Sequence, residues 1–130
     1  MDRIDLQVAV NRLRPEEITR NAQGEETAVV RQRVQVARQI SLTRFVDQPT
    51  DRPIMCNAQM QSADLQHWCK LDDASRLLLE KAIERLGLSA RASDRIIKVA
   101  RTIADLAGEE NLRSSHIAEA VQYRTIDRMQ

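Results

Sequence analysis

LSARASDRIIKVARTIADL, residues 88–106, reads as one amphipathic helix. At about 100° per residue, Ile96, Ala100, Ile103 and Ala107 fall on one face, with Val99 and Ala104 at its margins. Arg91, Arg95, Lys98 and Arg101 fall within a stripe about 120° wide on the opposite side. Ser89 is a natural N-cap, which puts Arg91 in the first turn, against the positive end of the helix dipole. A cation there is unfavourable by a few tenths of a kcal/mol, up to about 1. An anion shared by Arg91 and the free N–H groups of that turn reverses the sign, and this points to a phosphate contact. The plainer alternative is a solvated basic face with Asp94 as partial counter-charge.

Outward from this helix the pattern stays helical. Asp72 or Asp73 opens a preceding helix whose apolar face is Leu78, Leu79, Ala82, Ile83 and Leu86, and Gly87 stops it. Ser62 caps a short helix running through Trp68 and Cys69. On the other side, Gly108 and Glu109-Glu110 end the long helix, and Ser114 or Ser115 caps a last one with Ile117, Ala120, Val121 and Arg124 aligned. Further upstream, Thr27 or a neighbour opens a helix on which Val30, Val34, Ala37 and Ser41 share a face, with Arg31, Arg33 and Arg38 on its exposed sides. Val46 to Ala63 reads as a loop punctuated by Pro49 and Pro53, with Asn57 among its turn formers. Phe45, Trp68 and Tyr123 are the only aromatics, so the core must be aliphatic, as in a helical bundle. The expected fold class is therefore mainly α: a small helical bundle.

The first residues break the pattern. Ile4 to Val10 alternate apolar and polar with period two, which predicts a half-buried β-strand. Nothing nearby offers it a partner, because Arg14-Pro15-Glu16-Glu17 starts a short linking helix instead. An orphan strand reads as the last strand of a sheet lying elsewhere in a longer protein, or as one that pairs with a second chain.

Composition excludes more than it suggests. With 20 basic and 19 acidic residues the net charge of +1 exerts no global pull on nucleic acid or membrane. Two cysteines are too few for a disulfide framework, and no apolar run approaches 18 residues, so a cytoplasmic protein is expected. There is no G-x-x-x-x-G-K-[ST] phosphate loop, no G-x-S-x-G elbow and no H-E-x-x-H. Cys56, His67, Cys69 and His116 are zinc-ligand types at irregular spacing. A core Cys69, a loop Cys56 and a surface His67 explain them better, so no metal site is expected. Asp72-Asp73 and Glu109-Glu110 sit at helix ends, where capping and solvation account for them. A self-contained enzyme is not expected. Arg91 and Arg3 remain, the latter preceding the orphan strand in Asp2-Arg3-Ile4-Asp5. A guanidinium fork suits phosphate oxygens.

Several separated motifs then fall in one family's order: DRIDLQVAV at 2–10, VRQRVQVARQ at 30–39, NAQM at 57–60, CKLD at 69–72, Ser89-Ala90-Arg91-Ala92, and HIAEAVQYRTIDR at 116–128. Together they resemble the C-terminal lid of magnesium-chelatase-like AAA+ ATPases of the competence-associated ComM type. The resemblance implies that residues 1–26 are the tail of the AAA+ core and 27–130 the helical lid. It implies that Arg91 is the sensor-2 arginine reaching the ATP γ-phosphate, with Arg95 a second candidate contact. Arg3 matches the arginine finger acting in trans on the neighbouring subunit's site. The chain alone then holds no cofactor, while ATP and Mg2+ act in the intact protein. Its expected partners are the rest of the core and identical subunits in a ring, typically a hexamer. DNA is a candidate partner through a DNA-remodelling helicase activity in recombination, and a membrane is not. Two alternatives stand beside this: an independent helical DNA-binding or protein-interaction module using the arginine stripe, and an oligomerisation piece pairing its strand between chains.

Overall fold

A computed structural model describes residues 5–10, 12, 14–16, 24–46 and 53–124. Among them the chain forms five α-helices and a short 3-10 turn: α1 Thr27–Val46, the turn Asn57–Gln59, α2 Ser62–Trp68, α3 Asp73–Leu86, α4 Ala90–Leu106 and α5 Ser114–Gln122. The mainly helical expectation holds.

The expected strand does not form within residues 5–10, which run as irregular chain. An extended segment becomes a strand only when a neighbour completes its ladder, and none of the described residues supplies one. The segment's backbone bonds to the helical bundle instead, from the Gln7 N–H to the Tyr123 carbonyl at 3.0 Å. Of the expected linking helix, residues 15 and 16 are helical and the following residues lie outside the described set.

The long helix lies at the centre. α4 packs against α1, α2, the 3-10 turn and α5, while α3 packs against α5. Ala92, Ala100 and Ala104 are buried along α4, and such short side chains let neighbours close in on several sides at once. Ile96 of α4 and Ile117 and Ala120 of α5 complete this layer, with Met60, Leu65, Cys69 and Leu79 around it. Phe45 and Trp68 meet edge to face, centroids 5.1 Å apart, which joins the end of α1 to α2. Gly87, at φ 62°, makes the left-handed turn between α3 and α4 that a side chain would oppose.

Three expectations are corrected in detail. The 46–63 loop contains the 3-10 turn, and Asn57 is buried rather than an exposed turn former. Ser62 is the first residue of α2, where the Gln61 N–H donates to the Asp64 carboxylate at 2.8 Å. Neither Ser114 nor Ser115 caps α5. His116 does so by accepting the Arg113 N–H on Nδ1 at 3.0 Å. On α1 the apolar face is only half used: Ala37, Ser41 and Phe45 are buried, whereas Val30 and Val34 remain exposed. A helix of 20 residues is about 30 Å long, and its buried residues all lie in its second half.

Candidate functional site

The start of α4 is built as its sequence predicts. Ser89 accepts the Ala92 N–H on Oγ at 3.1 Å, and Ala92 is buried beneath the turn. Arg91, the second helical residue, is exposed and makes no hydrogen bond or ion pair among the described residues. The first N–H groups of any helix lack an intrahelical acceptor, and no acidic residue lies in this first turn. A free guanidinium therefore sits beside free N–H groups at the positive end of a 17-residue helix. That donor set suits a phosphate oxygen and repels a metal cation.

The remaining cations of the stripe are not a solvated face. Arg95 donates to Asp5 at 2.8 Å, and Arg124 approaches the same carboxylate at 3.8 Å. Lys98 donates to the Ala58 carbonyl at 3.2 Å. Arg101 is 2% exposed. Its Nε donates to Asp105 at 3.1 Å, and its two terminal nitrogens donate to the carbonyls of Glu110 and Glu109 at 2.8 and 2.7 Å. Of the four, Arg91 alone faces solvent with no partner among the described residues. Arg3 lies outside the described residues.

The sequence reading missed a buried polar cluster one side of which is Arg101. Asp105 receives Arg44 from the last turn of α1 as well as Arg101 from its own helix. Asn57 joins them, donating to Asp105 at 3.0 Å and to Thr102 at 3.1 Å while accepting from Arg44 at 3.2 Å. Burial pulls the Arg101 guanidinium below the usual arginine range, the Asp105 charge opposes that shift, and Arg44 adds to it. The nearby Cys69 thiol is pushed up to about 11, chiefly by burial, so it stays protonated at neutral pH. The i, i+4 spacing of Arg101 and Asp105 was the available signal, but nothing in sequence shows that α1 will cover it.

The zinc-ligand types do not converge: no group of three His, Cys, Asp or Glu side chains among the described residues could hold an ion. Cys69 is buried, Cys56 is half-buried, and exposed His67 meets Trp68 edge-on at 5.0 Å. His116 uses Nδ1 as the α5 cap, leaving Nε2 toward Glu109 at 3.4 Å. Asp72 caps α3 by accepting the Ser75 N–H at 2.7 Å. Its hydrogen bonds with Ser75 hold its carboxyl below the usual range.

Residues 24–124 match the family model described as magnesium chelatase, subunit ChlI C-terminal. The chain belongs to that family. Over 131 aligned residues it is 40% identical to competence protein ComM of Haemophilus influenzae, covering 99% of this chain and 24% of that protein. It is 36% identical to the uncharacterized protein YifB of Escherichia coli over 130 residues, with the same coverage. Identity to the uncharacterized protein Rv2897c of Mycobacterium tuberculosis is also 36%, over 126 residues, 95% of this chain and 24% of that one. The chain thus spans about a quarter of the length of the curated relatives it matches.

The motifs that carried the resemblance have structural duties in this ChlI C-terminal domain. In NAQM, Asn57 bridges the buried ions, Gln59 accepts the Met55 N–H at 2.7 Å, and Met60 is core. In CKLD, Cys69 is core and Asp72 is a cap. At the far end Ile117 and Ala120 are buried, and Tyr123 holds the incoming Gln7. No helix among the described residues is long and apolar enough to cross a membrane.

Proposed function

We propose that this chain is the lid and sensor-2 part of a ComM-like, magnesium-chelatase-like AAA+ ATPase. Residues 1–26 then end the core and 27–130 form the lid, a division supported by a family match that starts at residue 24. The observation that carries the reading is Arg91: exposed, without a partner among the described residues, and set where a helix most disfavours a lone cation. Its donor set fits the terminal phosphate of ATP, which supplies the bond to be cleaved. Arg91 holds that phosphate and offsets charge that develops on its oxygens. Mg2+ does not fit this cationic corner and is held by the intact protein elsewhere. Arg3 acts in this reading as the arginine finger in trans, within a homo-oligomeric ring, typically a hexamer. Arg95, engaged by Asp5, is the weaker candidate for the phosphate.

The intact protein is in this reading a DNA-remodelling helicase. The support is the competence designation of the Haemophilus influenzae relative. An independent DNA-binding module would need the α4 stripe in solvent, and three of its four cations are engaged by protein atoms.

ATP turnover by the intact protein tests the reading. Arg91→Ala should lower kcat about a hundredfold without lowering the thermal midpoint. Normal turnover in that variant rejects the sensor role.

A further inference from the structure

Residues 5–7 fasten the start of the chain to two helices. Asp5 accepts Arg95 of α4 at 2.8 Å and faces Arg124, just past α5, at 3.8 Å. Two residues on, the Gln7 N–H reaches the Tyr123 carbonyl at 3.0 Å. The attachment is polar: Leu6 and Val8 stay 53% and 67% exposed. It is also incompletely made. A terminal nitrogen of Arg124 and the Gln7 side-chain oxygen are buried without a hydrogen-bond partner among the described residues. At 3.8 Å the Arg124 contact is an ion pair too long to be a hydrogen bond.

Position gives this contact its meaning. Arg95 lies one helical turn after Arg91 and on the same side of α4. Asp5 follows Arg3 by two residues, no more than about 7 Å of chain. Resting on the function proposed above, we infer that Asp5 is a positioning residue that fastens residues 5–7, two residues beyond Arg3 in the chain, to the helix carrying Arg91, with Arg95 and Arg124 as its receivers. One carboxylate holds two guanidiniums, so neutralising it leaves two cations facing each other. Arg95 and Asp5 are both partly in solvent, so the clamp weakens with salt.

The intact protein is assayed for ATP turnover with Asp5→Asn, Arg95→Gln, their double variant and Asp5→Glu, beside Arg91→Ala. Each neutralisation should lower kcat about two- to fivefold with the ATP KM unchanged. The double variant should be no worse than either single one, and Asp5→Glu should retain most activity. Unchanged kcat in both single variants, or effects that multiply in the double, overturns the clamp. Normal turnover in Arg91→Ala instead rejects the nucleotide-site reading. The clamp is judged separately by amide exchange of Gln7 in this chain: Asp5→Asn should speed it, and unaltered protection overturns the clamp.

Discussion

Asp105 is 2% exposed and stands between two guanidiniums, of which Arg101 is equally buried and Arg44 is 14% exposed. Each ion alone would be strongly disfavoured in this setting. Together with Asn57 and the Glu109 and Glu110 carbonyls they satisfy one another. Removing the single negative charge should therefore be far worse than removing a surface charge. Asp105→Asn is expected to destabilise the fold by about 3–5 kcal/mol, read as a lower urea midpoint. A change below about 1 kcal/mol would mean that the two arginines find other partners. Arg91 is the contrasting case on the same helix, because it is exposed and no protein group among the described residues meets it.

Along α4 as an element, the same sequence does two jobs. Its alanines and Ile96 bind the bundle, while its first turn carries a charge of the wrong sign for its own dipole. A charge opposed to its own helix dipole has a measurable signature. In this chain without nucleotide, Arg91→Glu removes an unfavourable charge and adds a favourable one, so it should raise the thermal midpoint by an amount corresponding to about 0.6–2 kcal/mol. A lower midpoint would show that Arg91 supports the fold through a contact outside the described residues. α1 divides differently: its second half is locked by Ala37, Ser41, Phe45 and Arg44, while Val30 and Val34 on the same stripe stay exposed.

At the scale of the whole molecule, burial of Cys69 links folding to pH. Its thiol is raised to about 11 in the native state from 9.0, so between those values the unfolded chain has lost a proton that the folded one keeps. This contribution is fully present below pH 9 and is lost as pH rises toward 11, amounting to about 2–3 kcal/mol. Tyr123, raised by the Glu119 charge beside it, adds loss in the same direction at higher pH. Denaturation of the wild-type chain and Cys69→Ala at pH values of about 8 and about 10.5 separates the two. The wild type should lose more stability than the variant, and equal slopes would mean that the thiol is not desolvated.

Periodicity and caps are local properties, and they determined much of this protein. Ser89, Asp72 and Gly87 act where the sequence puts them, because a cap needs only its own turn. The apolar face of α4 was legible for the same reason, since a 3.6-residue repeat must be buried somewhere. The exposed Arg91 in the first turn was legible too. Tertiary structure alone decided which cations are free. Arg101 has Asp105 four residues on in its own helix, where Arg91 has Arg95, but its burial comes from α1, the 3-10 turn and the loop after α4. It also decided the fate of residues 5–10. Alternation specifies a strand only when a sheet completes the backbone hydrogen bonds, and here the helical bundle holds the segment through Asp5 and Gln7 instead.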